Sequence, residues 1–185
     1  MSTGPIRWGI MSAARIARRS VGPGIHKARN GELRAVASRS LERARGIAAE
    51  LEIPRAYGSY EALLADPEID AVYIPLPTSL HHEWVIAAAR AGKHVLVDKP
   101  FAVDAAEAVE MVDACRAAGV QLLEGFMYRY DPKHARLREL VRRGRLATCG
   151  RSIRRSVSRS PETRRTCGSR PSWPAGRWGT WGRTA

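Results

Sequence analysis

Short apolar runs alternate with helical patterns along most of this chain, and the connections between them are short. Parallel strands need a crossover between them, usually a helix, so this alternation is typical of an α/β domain with a doubly wound parallel sheet. The run at 69–75 is apolar on both faces apart from Asp70, as expected for a strand covered by helices on both sides. The predicted strands are 6–11, 33–38, a short strand before Gly58, 69–75, 93–97 and 120–124.

In a sheet of this kind, ligands bind outside the carboxyl ends of the strands, where the direction of winding changes. The residues that directly follow the strands are therefore candidates for a functional site, and all of them should lie along one edge. They form five groups, at 12–15, 38–39, 77–81, 98–100 and 124–129.

The first group joins a strand to a helical pattern and consists of small residues. Ser12, Ala13 and Ala14 would let backbone N–H groups and a helix N-terminus approach a phosphate. A dinucleotide-binding fingerprint has glycines at the positions of Ser12, Ala14 and Ala17, and none of these is glycine here. Taken alone, the turn also fits an ordinary buried connection between strand and helix.

The second strand ends in Ser38 and Arg39. A site specific for NAD usually presents an acidic residue here to the ribose 2′-hydroxyl, whereas an arginine accommodates the 2′-phosphate of NADP. The pair therefore favours NADP over NAD. A solvated arginine at the start of a helix is the alternative.

Lys99 follows the fifth predicted strand and precedes Pro100. An ammonium beside an apolar strand end loses hydration and can donate a hydrogen bond to a substrate oxygen. Elsewhere, a lysine after a strand is often simply solvated. The Lys99–Pro100 peptide bond is a candidate for the cis isomer.

The histidines and cysteines show no metal-ligand pattern. His81 and His82 are adjacent and cannot share one helix face, so we expect His81 to contact a cofactor and His82 to face solvent. The three cysteines are widely spaced, and Cys115 lies in a helix of apolar spacing, so it is expected in the core rather than as a nucleophile. No metal site is predicted.

Five segments together carry a specific resemblance. The chain resembles the glucose–fructose oxidoreductase/inositol dehydrogenase family over about residues 5–145. The resemblance implies an N-terminal Rossmann domain that binds NAD(P), a C-terminal α/β domain with substrate-binding residues, and hydride transfer between the nicotinamide and a sugar, inositol or dihydrodiol. The segments are 8–17 (Trp-Gly-Ile-Met-Ser-Ala-Ala-Arg-Ile-Ala), 37–39 (Ala-Ser-Arg), 74–81 (Ile-Pro-Leu-Pro-Thr-Ser-Leu-His), 92–100 (Gly-Lys-His-Val-Leu-Val-Asp-Lys-Pro) and 124–129 (Glu-Gly-Phe-Met-Tyr-Arg).

The same resemblance implies roles for individual residues. Lys99 would be catalytic and hydrogen-bond the reacting oxygen, although Asp98 replaces the glutamate of the family's Glu-Lys-Pro motif. Tyr128 and Arg129 would line the substrate with Lys99. The small first turn resembles a subgroup that acts on sugars and dihydrodiols, usually with NADP. The implied cofactor-binding residues are Gly9, Met11, Ser12, Ala13, Ala14, Arg15, Ile16, Ser38, Arg39, Pro75, Leu76, Pro77, Thr78, Leu80, His81, Asp98, Lys99, Pro100, Glu124 and Arg129.

The composition changes near Arg145. Residues 1–145 hold 22 lysines and arginines against 17 acidic residues, whereas 146–185 hold nine arginines and one acidic residue, Glu162. The last forty residues contain only three of the Leu, Ile, Val and Phe class, too little apolar surface to offset the entropy of ordering. We therefore expect a Rossmann domain at 1–130, a linker helix toward a second domain at 131–146, and a disordered, non-native tail at 147–185.

Several functional classes are disfavoured. No apolar run approaches the ~20 residues of a membrane helix, and no secretory signal is visible, so a cytoplasmic location is expected. By family resemblance, the partner would be a small polyol or sugar, and homo-oligomers are common. A nucleic-acid-binding module using the Arg- and Trp-bearing tail is the main alternative, against which the tail lacks heptads, zinc spacing and any RNA-binding signature. A truncated cofactor-binding regulator is a third interpretation.

The tail also indicates a change of reading frame. The family continues as Gly-x-Leu/Ile-Gly-Asp/Glu-Val-Arg, whereas the chain reads Leu-Ala-Thr-Cys-Gly at 146–150. The codons CTG GGC GAC GTG CGG encode Leu-Gly-Asp-Val-Arg, and loss of one G gives CTG GCG ACG TGC GG, which encodes Leu-Ala-Thr-Cys-Gly. We expect residues from about Ala147 onward to be a frameshifted translation of a GC-rich gene. The substrate domain would then be absent and turnover by this chain slight.

Sequencing the gene tests the frameshift directly. A one-base correction near codon 147 should open a frame that encodes a Gly-Gly-Ala-Leu-x-Asp-x-Gly-x-Tyr segment where the present frame gives residues 173–184. An uninterrupted downstream frame without family motifs would contradict the interpretation.

Overall fold

Six parallel strands form a single sheet in the computed structural model, which describes residues 4–144. The order β3-β2-β1-β4-β5-β6 places β1 between two halves that wind in opposite directions, which confirms the predicted doubly wound sheet. The strands are β1 (Ile6–Met11), β2 (Gly31–Ala37), β3 (Arg55–Tyr57), β4 (Ala71–Ile74), β5 (His94–Val97) and β6 (Leu122–Glu124).

Helices connect these strands as the sequence predicts. A π-helical turn at Ala17–Val21 leads directly into the first helix, and 3₁₀ turns cover Thr78–Leu80 and Met127–Tyr130. Residues 4–126 belong to one compact unit and residues 127–144 to a second. The helices are α1 (Gly22–Lys27), α2 (Leu41–Glu50), α3 (Tyr60–Leu64), α4 (His81–Arg90), α5 (Ala105–Ala117) and α6 (Pro132–Arg142). The predicted tail at 147–185, with its proposed frameshift, lies outside the described residues.

Local capping chemistry fixes where these helices begin and end. The side chains of Ser40 and Asp104 accept hydrogen bonds from backbone N–H groups three residues further on, at 3.3 and 3.0 Å, which satisfies donors that the first helical turn leaves unpaired. Gly92 and Gly119 follow α4 and α5 with φ of +70° and +68°, a conformation that favours glycine. These four positions mark the start of α2 and α5 and the end of α4 and α5.

The core lies on both faces of the sheet. Alternate strand residues point to opposite faces, so Met11 and Val72 belong to one apolar cluster, whereas Ile10 and Tyr73 belong to the other. Cys115 is 2% exposed within the first cluster, and burial raises the pKa of its thiol. Its predicted place in the core is confirmed.

A buried lysine closes the opposite end of the sheet, where the strands begin. The Lys93 ammonium donates hydrogen bonds to the carbonyl oxygens of Asp66 and Ile69, at 2.7 and 2.8 Å, and burial lowers its pKa. Burial alone would raise the pKa of the Asp66 carboxyl. Hydrogen bonds from the Glu68 backbone N–H and from the Tyr57 and Arg55 side chains outweigh burial, so the pKa is lowered.

The substitution Lys93→Met should reduce the free energy of unfolding by about 1–3 kcal/mol, because two buried carbonyls lose their donor. Urea denaturation of the full chain measures this change. The control is Lys27→Met, which makes the same substitution at an exposed position of α1. Equal stabilities of the two variants would contradict the role given to Lys93.

Candidate functional site

The turns that follow the parallel strands lie along one edge of the sheet. β1 pairs in parallel register with β2 and with β4, and β5 pairs with β4 and β6, so the carboxyl ends of these strands face the same way. The predicted groups 12–15, 38–39, 77–81 and 98–100, together with Glu124 at the end of β6, lie at this edge. These predicted groups therefore lie along a common edge of the sheet.

A cavity of about 450 Å³ lies where the turn after β1 meets the turn after β2. The cavity brings together two of the predicted groups, the small first turn and the Ser-Arg pair. It also adds three residues that the sequence analysis missed, two on α2 or its cap and one on α3. The cavity is lined by Ser12, Ala13, Ala14, Ser38, Arg39, Ser40, Arg43 and Tyr60.

Serine hydroxyls hold the backbone of this cavity in place. The Ser12 hydroxyl accepts a hydrogen bond from the Ala14 N–H at 3.0 Å. The Ser38 hydroxyl accepts one from the Ser40 N–H at 3.3 Å, and the Ser38 N–H donates to the Tyr57 carbonyl at 3.1 Å. Both turns are therefore fixed before any ligand arrives.

Two arginines line the cavity without a carboxylate partner. Among the described residues, neither Arg39 nor Arg43 forms an ion pair, whereas nearby Arg18 is paired with Glu50. Burial raises the pKa of the Tyr60 phenol, and the positive charge of Arg39 opposes that rise. The cavity thus concentrates positive charge that a bound anion would neutralise.

Strand-end reasoning did not reach Arg43, which lies in the first turn of α2, three residues after the N-cap Ser40. It did not reach Tyr60 either, because the place of Tyr60 at the cavity depends on how α3 packs.

Lys99 lies at the same edge, after β5. Lys99 is exposed, and the Lys99–Pro100 peptide bond is cis. The Asp98 side chain accepts a hydrogen bond from the Lys99 N–H at 2.9 Å, and the Asp98 N–H donates to the Ile74 carbonyl of β4 at 3.1 Å. Burial and the Asp98 carboxylate together raise the pKa of Tyr73. Asp98 is therefore anchored by backbone and side-chain contacts.

Three of the predicted cofactor-binding residues are buried. His81 is 1% exposed and its ring lies among backbone carbonyls. The Met11 side chain is 0% exposed in the core. Gly9 lies within β1, where a Cβ would approach Leu63 to 2.8 Å. The side chains of His81 and Met11 face the interior, and Gly9 leaves room for Leu63.

The other predicted contacts vary in exposure. Ile16 is 37% exposed, and Arg15 is also exposed. After β4, Pro75 is buried and Pro77 exposed, while Leu76, Thr78 and Leu80 are half-buried. The Leu80 N–H donates to the Pro77 carbonyl at 2.8 Å, which closes the 3₁₀ turn.

Tyr128 and Arg129 belong to the second compact unit. The ring of Tyr128 lies 5.0 Å from that of His134, centroid to centroid. The Arg138 guanidinium donates to the Arg129 carbonyl at 3.2 Å. Both residues are exposed.

Over residues 4–144, no group of three histidine, cysteine or acidic side chains is arranged to hold a metal ion. Within the same span, no helix is long and apolar enough to cross a membrane.

A doubly wound parallel sheet with a basic crevice beside its first strand defines a nucleotide-binding α/β domain. Residues 6–126 match the model described as "Oxidoreductase family, NAD-binding Rossmann fold", and the chain belongs to this GFO/IDH/MocA family. The match confirms the resemblance drawn from the five sequence segments.

Two curated relatives illustrate the range of the family. D-xylose 1-dehydrogenase (NADP(+)) 2 of Haloferax volcanii is 52% identical over 134 residues, which cover 72% of this chain and 41% of that protein. Trans-1,2-dihydrobenzene-1,2-diol dehydrogenase of Mus musculus is 40% identical over 141 residues, 75% of this chain and 42% of that protein. The chain thus spans about two-fifths of the length of these relatives.

A solved relative has the same fold. The 3-ketoreductase KijD10 of Actinomadura kijaniata, in complex with TDP-benzene and NADP, superposes with a TM-score of 0.71 at 37% identity. The match covers 76% of this chain and 44% of that one.

Proposed function

We propose that this chain is the NADP-binding domain of an oxidoreductase that transfers hydride between the nicotinamide and a hydroxyl or carbonyl carbon of a sugar, inositol or dihydrodiol. The observation that carries the proposal is the cavity of about 450 Å³ where two arginines, neither of them in an ion pair with another residue of 4–144, meet the small turn after β1.

The charge of the cavity supports NADP rather than NAD. The 2′-phosphate of NADP is an anion, and a guanidinium binds phosphate through two parallel hydrogen bonds. Arg39 stands where an NAD-specific site would present an acidic residue to the 2′-hydroxyl. Arg43 and the hydroxyls of Ser38 and Ser40 line the same cavity and complete a set of donors suited to phosphate.

The turn after β1 suits the pyrophosphate. Ser12, Ala13 and Ala14 carry small side chains, so a phosphate can come close to the backbone N–H groups at the start of the helix that follows. The Ser12–Ala14 hydrogen bond holds this turn in shape. Arg15 is exposed beside it and supplies a further positive charge.

We assign the chemical step to Lys99. The bound cofactor would supply or accept the hydride. The Lys99 ammonium would donate a hydrogen bond to the reacting oxygen of the substrate. This bond would stabilise the negative charge that develops on that oxygen. Its backbone is anchored through Asp98, so the ammonium is carried by a fixed turn. Tyr128 and Arg129 would contact the substrate.

The substrate class is drawn from the relatives. Their names describe dehydrogenases and reductases of xylose, a dihydrobenzenediol and a deoxysugar nucleotide. All of these substrates carry a hydroxyl or carbonyl on a saturated or partly saturated ring or sugar chain. A small polyol or sugar is therefore the proposed partner.

Titration of the full chain with NADPH and NADH tests the cofactor assignment. We expect tighter binding of NADPH, because only NADPH carries the 2′-phosphate. Arg39→Gln and Arg43→Gln should each weaken NADPH binding by about 10- to 100-fold, the loss of one charge-assisted contact, and leave NADH binding nearly unchanged.

The matched control is Arg45→Gln, which removes the same charge from an exposed position of α2 outside the cavity. Equal affinities of the unmodified chain for NADPH and NADH would refute the role of the two arginines. An equal loss in the Arg45 variant would assign the effect to overall charge.

A further inference from the structure

A single imidazole connects two of the turns at the ligand-binding edge. His81 begins α4 and is 1% exposed. Its Nε2 lies 2.8 Å from the Leu76 carbonyl oxygen, in the turn after β4. Its Nδ1 lies 3.1 Å from the Pro100 oxygen and 3.2 Å from the Phe101 oxygen, in the turn after β5.

Few backbone hydrogen bonds join these two turns in the described part of the chain. The Asp98 N–H donates to the Ile74 carbonyl, where β4 and β5 end. Pro75, Pro77 and Pro100 have no N–H to donate. In the described part of the chain, no backbone N–H donates to the carbonyls of Leu76, Pro100 and Phe101. The imidazole therefore provides the hydrogen bonds that the prolines cannot.

Both ring nitrogens face oxygen acceptors. A neutral imidazole carries one N–H and can donate to one turn, whereas the doubly protonated ring donates to both. A ring with one nitrogen toward each turn can therefore donate to either of them. Leaving them without a donor would cost free energy, because they face a buried ring.

We propose that His81 is a positioning residue, which holds the Lys99–Pro100–Phe101 turn at a fixed distance from the turn after β4. This inference rests on the proposed function, because Lys99 is the residue assigned to the chemical step. His81 acts through backbone carbonyls and does not touch the ligand. The nicotinamide half of the cofactor would then depend on His81, whereas the adenine half would not.

The adenine half and the nicotinamide half of the proposed cofactor site can be tested separately. His81 does not line the cavity that contains Arg39 and Arg43. The ligand 2′,5′-ADP carries the adenosine 2′-phosphate and lacks the nicotinamide, so it reports on that cavity alone. NADPH reports on both halves, and the fluorescence of its bound nicotinamide reports on the surroundings of that ring.

The test compares His81→Phe, which keeps a ring of similar size without donors, with His81→Gln, whose amide NH2 group can still donate to a carbonyl. Both are measured in the full chain. For His81→Phe we expect 2′,5′-ADP affinity within about twofold of the unmodified chain, NADPH affinity reduced about 10-fold, and loss of the NADPH fluorescence change. His81→Gln should recover part of the NADPH signal. The control is His82→Phe, at the adjacent residue that pairs with Glu110.

Each outcome decides the proposal. Unchanged NADPH affinity and fluorescence in His81→Phe would overturn it. Equal loss of both ligands, in parallel with a lower melting temperature, would show a role in stability alone and would also overturn it. If His81→Phe does not fold, the ratio of NADPH to 2′,5′-ADP affinity in His81→Gln decides in the same way. Failure of the unmodified chain to bind 2′,5′-ADP would instead refute the NADP site itself.

Discussion

The parallel pairing of β1 with both β2 and β4 is the constraint on which the candidate site depends. This pairing brings the turns after three strands to one edge, and the reversal of winding at β1 opens a crevice between them. The close packing under β1 supports the arrangement, since a Cβ at Gly9 would approach Leu63 to 2.8 Å. A bulkier residue at Gly9 would force the Leu63 side chain to shift under the strand that carries the first turn.

The two edges of the sheet use arginine in different ways. Where the strands begin, Arg7 pairs with Asp70 at 2.6 Å and Arg55 with Asp66 at 2.9 Å. The Arg7 hydrogen bond is the main cause that lowers the pKa of Asp70. Where the strands end, the arginines of the cavity have no such partner among the described residues. Charge is neutralised at one edge, whereas the arginine charge that no described carboxylate pairs at the other edge is available to an anionic ligand.

Much of this architecture was predictable, because strand periodicity and helix caps are local signals. Ser38 and Arg39 were also predicted from sequence, because they lie at the end of a predicted strand. Arg43 and Tyr60 were missed because they reach the cavity from α2 and α3, and their place depends on how those helices pack. His81 was assigned to the cofactor because it follows a strand, and nothing in the sequence reports that its ring is buried.

The two halves of the candidate site are held by opposite kinds of hydrogen bond. At the cavity after β1 and β2, hydroxyls of Ser12 and Ser38 accept from backbone N–H groups. After β4 and β5, prolines carry no N–H, and over residues 4–144 no backbone N–H donates to the carbonyls of Leu76, Pro100 and Phe101. The His81 ring lies within hydrogen-bond distance of all three. In the role we propose for His81, this buried ring therefore positions a turn in which Pro100 has no N–H to donate.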